Sequence, residues 1–443
     1  MTKQNITLGR VPGTLFSKKE ILTENQLNHH VHIVGASGYG KTVLLSHIVK
    51  QSINQNKGLL FIDLKNDVDT IEKFKKYAKD CNREHDLQIF SLNHPDSIPY
   101  NLISEGSATQ LKDKIMSSLT WSEEYYKHQS SSFLLRLLIG LVYLRDVLHK
   151  TFGLREVLRY AKSVDALEEL FIEISRIKTP QSQKTLRHIE DLIEFLKVRE
   201  NFNSLQGLRS QLESLVFSDF GDLISGDASS VSSPCPPGSR PFAYGLDFFN
   251  AINSNKLIYI FLDSRRYSES SKAVGRFILQ DLKMVSARID AEIPRDNRKN
   301  FVCIIDEFAD LAQEDFIGFL DRARSSKMSV VIAHQELSDL KRISPEFSAR
   351  LTGNTSTLYA FLQKNSESAE AISGMAGTRK VWKETIQSSK FLFFDIPSGN
   401  KSLREVEEFN IHPNIIKSLQ VGRCICIKKY PKAQSHIVNI FNE

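Results

Sequence analysis

Eight consecutive residues, Gly35-Ala36-Ser37-Gly38-Tyr39-Gly40-Lys41-Thr42, follow the spacing G-x-x-x-x-G-K-[ST]. That spacing suits a phosphate cradle. The glycines let the backbone turn with its N–H groups inward, and a helix starting there adds partial positive charge at its N-terminus. Lys41 is expected to reach the β- and γ-phosphates of a nucleotide, and the Thr42 hydroxyl to coordinate Mg²⁺. The flanks agree with this. Val31–Val34 reads as a buried strand, and 42–49 reads as a helix through Val43, Leu44, Leu45, Ile48 and Val49.

A second half-site lies far downstream. The apolar run Phe301–Ile305, as expected at the centre of a parallel sheet, ends in Asp306-Glu307. An acidic pair at the tip of a buried strand predicts a magnesium-holding Asp306 and a Glu307 that positions or deprotonates an attacking water. The strand expected at 329–333 ends at His334-Gln335, where the Gln335 amide would sense a γ-phosphate or orient water. Arg322 and Arg324 fall on a helical turn between these strands. They read equally as solvated helix-end charges or as an arginine finger reaching into a neighbouring subunit. Asp63-Leu-Lys65-Asn-Asp67 follows a strand at 59–64, at the carboxyl end where such sheets bind ligands. It reads equally as nucleotide- or neighbour-facing and as a solvated strand end. The run His29-His30-Val-His32 reads as a polar turn rather than a metal set, having no Cys or acidic ligand beside it.

The elements that must carry these residues alternate. Strands are expected at Val31–Val34, 59–64, Leu87–Ser91, 257–262, Phe301–Ile305, 329–333 and 356–361, with helices at 268–293 and 366–375 among those between them. Alternation of this kind predicts an α/β fold, a mostly parallel sheet with helices on both faces. From 105 to 223 the spacing changes. Phe133, Leu134, Leu137, Leu138, Leu141 and Leu144 recur at three and four residues, and similar patterns follow to Val216. The expected division is a nucleotide-binding domain in two parts, 1–104 and 242–443, interrupted by an all-α insertion at 105–223 and a Ser/Pro/Gly linker at 224–241. Within the insertion, Trp121, Tyr125 and Tyr126 stand beside Lys127 and His128; they would stack nucleic-acid bases or, more commonly for aromatics, pack a helix. The remainder, 376–443, holds the run 391–396, an acidic patch at Glu405, Glu407 and Glu408, and a strand at 425–428, read as a docking edge or the sheet's last strand.

Composition is that of an ordinary globular protein: 443 residues, 41% hydrophobic and 25% charged, with a net charge of +6. That charge permits an anionic partner without requiring one. The five cysteines form no framework, and Cys424 with Cys426 reads as reduced structural thiols in a cytosolic protein. The longest apolar run, 133–144, contains Arg136 and is far short of the roughly twenty residues a bilayer needs. No signal-peptide core is present at the start, so a soluble chain is expected.

These residues resemble a known family. Leu8-Gly9, His32-Ile-Val-Gly-Ala-Ser-Gly-Tyr-Gly-Lys-Thr and Phe61-Ile-Asp-Leu-Lys65-Asn-Asp67 look like the opening of TraG/TraD-type coupling proteins of conjugation and type IV secretion. Gly275-Arg-Phe-Ile-Leu-Gln-Asp-Leu282, Ile304-Ile-Asp-Glu-Phe308, Phe319-Leu-Asp-Arg-Ala-Arg324, Ala333-His-Gln335 and Gly353-Asn354 keep that family's order, so the resemblance spans about 8 to 380. It implies a RecA-like P-loop ATPase domain of the FtsK/HerA branch with an inserted all-α domain. It further implies a homohexamer around DNA that hydrolyses ATP with Mg²⁺ and passes a relaxase–DNA substrate to the secretion channel. By motif position, Lys41 and Thr42 bind phosphate and metal, Asp306 and Glu307 serve hydrolysis, Gln335 is the sensor and Arg324 falls where a trans-acting arginine belongs. One departure stands out. The family usually begins with transmembrane helices, and no such segment is read here, so a cytoplasmic chain is expected, held at the inner face of the membrane, if at all, by a partner. Two other functional classes fit the same residues: a secretion or assembly ATPase that never threads DNA, and a nucleotide-switched adaptor.

Overall fold

The β-branched and aromatic runs of the sequence become strands, whose pleated, buried surface suits such side chains. A computed structural model describes residues 5–13, 18–65, 67–225, 245–391 and 394–442, with only the backbone described for 384–391 and 394–402. The expected linker lies outside the described residues from 226 onward, as does Cys235, and the run 391–396 is described in backbone alone and without 392 and 393. In chain order the strands are β1 Ile6–Arg10, β2 Lys19–Leu22, β3 Val31–Val34, β4 Gly58–Asp63, β5 Leu87–Ser91, β6 Leu257–Phe261 and β7 Phe301–Ile305. They continue with β8 Met328–His334, β9 Thr357–Ala360, β10 Thr378–Phe391, β11 Phe394–Phe409, β12 Arg423–Lys428 and β13 Gln434–Ile440. Two compact units make up the chain, one of residues 1–51 and 330–443, the other of residues 52–329.

In the first unit, β3 runs parallel to both β8 and β9, and every residue of β3 is buried. β9 then passes to an antiparallel wing, with β12 on β9, β13 on β12, β1 on β13 and β2 on β1. The parallel strands and β12 lie where the sequence places strands, whereas β1 and β2 are not read there, because the partner of β1 is remote: Gly9 pairs with Ile440. Two of the three acids of the patch are paired. Glu405 and Glu408 lie on β11 facing the lysines of β10, with Lys380 3.2 Å from Glu405 and Lys383 2.6 Å from Glu408.

A buried polar knot holds the antiparallel wing. Glu20, 2% exposed, accepts from Lys428 Nζ at 2.7 Å and from the Tyr359 hydroxyl at 3.0 Å, with His436 Nε2 at 2.7 Å from its other oxygen. Burial alone would raise the Glu20 pKa, but His436 and Lys428 outweigh it and hold it below the usual value. Glu20, Cys426 and His436 form the one group among the described residues close enough to share a metal ion. The Lys428 ammonium already supplies the cation there. Cys424 and Cys426 are free buried thiols whose pKa values burial pushes well up.

In the second unit, β4 lies between β6 and β7 with β5 beyond β6, all parallel. The helix Ser268–Glu292, expected at 268–293, buries Val274, Phe277, Ile278, Leu282, Val285 and Ile289 along one face. Between 108 and 224 the described elements are helices alone, from Ala108–Ser118 to Gly221–Ile224. Several begin with side-chain caps: Ser107 accepts from the Gln110 N–H and Thr179 from the Ser182 N–H, ahead of Pro180. Tyr125 and Tyr126 are 60% and 41% exposed, so they do not pack the helical core. Trp121 is tied back by its indole N–H to the Met116 carbonyl at 2.8 Å. No helix among the described residues is long and apolar enough to cross a membrane.

Removing Glu20 leaves Lys428 buried without its carboxylate. Glu20→Ala is expected to cost on the order of 3–5 kcal/mol in chemical denaturation, and Glu20→Leu combined with Lys428→Met to recover much of it.

Candidate functional site

The first unit supplies the glycine loop. β3 ends at Val34, the loop turns over 35–40, and the helix Lys41–Asn54 begins. Two contacts fix where the loop leaves the sheet. The Gly35 N–H donates to the His334 carbonyl at 3.2 Å, and the Ala36 N–H to the Leu362 carbonyl at 2.9 Å. Gly35 has to be glycine because a Cβ there would lie 2.4 Å from Cβ of Phe361. Gly40 has φ of +113°, a conformation closed to other residues. Ser37 and Gly38 are exposed at the loop's crown, and Lys41 is 4% exposed. The Lys41 ammonium donates to the carbonyls of Gly35 at 2.5 Å and Ala36 at 3.4 Å, so its charge sits inside the loop. The loop thus joins a buried ammonium to the positive end of a 14-residue helix, the electrostatics a polyphosphate needs.

Gln335 follows directly on β8, whose His334 is in register with Val34 of β3. The structure therefore brings Gln335 beside the start of the glycine loop. Its side chain is exposed, and its carbonyl accepts from the buried Gln363 amide at 3.2 Å. Beneath it, His32 and His334 face one another with their Nε2 atoms 2.6 Å apart, both wholly buried. Burial, and then the neighbouring ring of His334, lower the His32 pKa well below its ordinary value, so it is a neutral ring. The three histidines of the early run have separate partners. His29 stacks on Tyr430 at 4.3 Å, and His30 Nδ1 accepts from the Val330 N–H at 3.1 Å. His29 and His30 precede β3, and His32 lies within it.

The second unit supplies the acidic pair. The Asp306 N–H continues the β7–β4 ladder to the Ile62 carbonyl at 3.0 Å, and Asp306 is 4% exposed. Glu307 adopts φ 52°, ψ 42°, a left-handed conformation that costs a non-glycine residue about 1–3 kcal/mol. Its N–H donates to Asp306 Oδ1 at 3.0 Å. The residue that ties the pair together is Lys65. Its Nζ lies 3.0 Å from Asp306 Oδ2 and 3.0 Å from Glu307 Oε1. Burial works against the Lys65 charge, but Asp306 and Glu307 outweigh it and raise its pKa above the ordinary value.

Lys65 is itself anchored. Its backbone N–H donates to Asp63 Oδ1 at 2.8 Å, while the Tyr259 hydroxyl donates to Asp63 Oδ2 at 2.8 Å. Burial pushes the Asp63 carboxyl up to about 6 in spite of both donors. Asp67 has a different job. It caps the helix Val68–Asp80, accepting from the Asp69 N–H at 3.1 Å. The cluster that the sequence left divided is thus two structures, an anchored lysine and a helix cap. Lys65 and Tyr259 are the participants that sequence reasoning missed; the signal was a lysine just past a strand end, and its target, 241 residues away, needed the strand order. Arg322 and Arg324 are exposed, Arg324 at the end of the helix Phe316–Ala323.

Comparison with known proteins follows the same lines. Residues 300–412 match the family described as the TraM recognition site of TraD and TraG. The type 4 coupling protein DotL of Legionella pneumophila is 23% identical over 367 residues, 75% of this chain and 47% of that protein. The chain spans about half the length of the curated relatives it matches. Among solved structures, the unbound bacterial conjugative coupling protein TrwB aligns with a TM-score of 0.65 at 13% identity, over 98% of this chain and 89% of that one. TrwB in complex with ADP and Mg²⁺ aligns with a TM-score of 0.61 at 14% identity, over 95% and 87%. The resemblance to coupling proteins read from the motifs holds in sequence and in fold, and the fold is the TrwB-like α/β one, with a mostly parallel sheet and helices.

Two outcomes are expected. Gly35→Ala forces Phe361 off the loop and weakens nucleotide binding by about tenfold or more, read by titration with a fluorescent analogue. Asp63 binds its proton more tightly folded than unfolded, so its share of stability is present at acid pH and lost as pH rises through about 6. Wild type should therefore lose on the order of 2–3 kcal/mol against Asp63→Asn between about pH 4 and pH 7, measured by denaturant unfolding across that range.

Proposed function

We propose that this chain is an ATP-hydrolysing coupling protein, a ring-forming DNA motor that delivers a relaxase–DNA substrate to a type IV secretion channel. The observation that carries the reading is the glycine loop with its buried Lys41, set between a parallel strand and a helix N-terminus. In this reading, residues 35–42 hold the phosphates, with Lys41 neutralising their charge. Thr42 and Asp306 are hard oxygen donors of the kind Mg²⁺ takes, and an ATPase supplies only one or two of them because the nucleotide and water supply the rest. Bound Mg²⁺ would neutralise charge on the phosphates. Glu307 accepts the proton of the attacking water, in a backbone geometry held at a cost to folding. Gln335 orients that water or reads the γ-phosphate.

The substrate assignment draws on DotL, named a type 4 coupling protein, and TrwB, described as a conjugative coupling protein. TrwB has been solved with ADP and Mg²⁺ and with an ATP analogue, which supports the same cofactors here. The helices of the 105–223 insertion are assigned to substrate docking, and the nucleotide-binding domain to 1–104 and 242–443. Arg324, exposed at a helix end, is assigned the trans-acting role in a homohexamer. The chain works in the cytoplasm, brought to the membrane's inner face by a partner.

Lys41→Ala is expected to abolish hydrolysis and weaken nucleotide binding together. Glu307→Gln is expected to lower kcat by a factor on the order of 100 or more while leaving ATP affinity within about threefold. Steady-state phosphate release and equilibrium binding on the same preparations read both quantities. Normal turnover in Glu307→Gln would remove the base assignment.

A further inference from the structure

Lys65 does more than pack. Its ammonium sits between two consecutive carboxylates at the end of β7, 3.0 Å from an oxygen of each. Both oxygens of Asp306 are thereby engaged, Oδ1 by the Glu307 N–H and Oδ2 by Lys65. A divalent cation on Asp306 would stand within a few ångströms of the Lys65 ammonium, and the repulsion between the two positive charges favours the departure of one of them. The bond to a neighbouring N–H is fixed by the backbone. The bond to Lys65 ends on a flexible four-carbon stem, and the Lys65 side chain is 22% exposed.

We propose that Lys65 is a resident cation that holds the metal-ligating oxygen of Asp306 and the carboxylate of Glu307 until a divalent ion displaces it. The inference rests on Asp306 being a metal ligand, as in the functional reading above. Two adjacent, largely buried carboxylates repel one another strongly at low local dielectric, and one positive charge between them removes that repulsion. At Glu20 a lysine likewise neutralises a buried acid, but there it is a single carboxylate that also holds Tyr359 and His436. At Lys65 the arrangement keeps the Asp306–Glu307 pair assembled and discourages metal from binding there on its own. Exchange of one cation for another then becomes part of loading the site. Lys65 is a positioning residue on this account: it acts through Asp306 and Glu307, and its effect is read in metal affinity.

The test uses the full chain without nucleotide, with Mn²⁺ as the paramagnetic probe and Mg²⁺ in thermal unfolding. Wild type is expected to bind Mn²⁺ weakly, with a melting temperature insensitive to Mg²⁺. Lys65→Met is expected to bind Mn²⁺ about tenfold more tightly or better. It should melt several degrees lower in chelator and regain most of that loss on adding Mg²⁺. Lys65→Arg keeps a cation at the site and should behave as wild type. If Lys65→Met does not fold, the comparison is Glu307→Gln against Lys65→Met combined with Glu307→Gln, where the double variant keeps the net charge of the wild-type site without the carboxylate–carboxylate repulsion and should again bind Mn²⁺ more tightly. Equal Mn²⁺ affinity with and without Lys65, in whichever pair folds, overturns the proposal. Failure of the motor reading shows differently: absent hydrolysis beside an intact gain in Mn²⁺ affinity would refute that reading and leave this one standing.

Discussion

Two carboxylates placed side by side at the end of a buried strand need a positive charge between them. In this protein the charge is Lys65, and much of the second unit follows from delivering it. β4 must lie directly beside β7 so that Lys65 and Asp306 leave the sheet together. Asp63 must stay at the end of β4 to hold the Lys65 backbone, and Tyr259 on the neighbouring β6 must hold Asp63. The left-handed turn at Glu307 is the strain that remains, and it aims the glutamate while keeping its carboxylate on the same ammonium. The first unit solves a simpler problem. Its loop needs one buried cation facing inward and glycines where Phe361 and the turn leave no room for a Cβ.

The parts legible in the sequence were those whose physics is local. A glycine–lysine spacing between an apolar strand and a helix is written in eight residues, and a buried strand ending in two acids is written in seven. Helical periodicity between 105 and 223 was equally plain, because each face repeats at three and four residues. What escaped depends on which remote segments become neighbours. The antiparallel wing joins Gly9 to Ile440, and neither short strand announces its partner. Lys65 is an ordinary surface-type residue in the sequence and becomes the central cation only when β4 and β7 pair. Two of the three acids of the patch, Glu405 and Glu408, have lysine partners across the β10–β11 ladder that the sequence did not announce either.

In the proposed reading the glycine loop answers to a nucleotide and the acidic pair to a divalent ion, and the helical stretch of sequence between them contains no residue that this reading uses. That separation fits a protein whose motor is general and whose substrate choice is carried elsewhere. The likeness in fold to TrwB covers nearly the whole of this chain at low sequence identity.

The claim that this is a cooperative DNA motor is tested most directly by steady-state ATP hydrolysis across a protein-concentration series, with and without single- or double-stranded DNA. A rate per subunit that rises cooperatively with concentration and again on adding DNA is the result this account predicts. A rate indifferent to both would contradict it, and would describe a nucleotide-switched adaptor or an export ATPase instead.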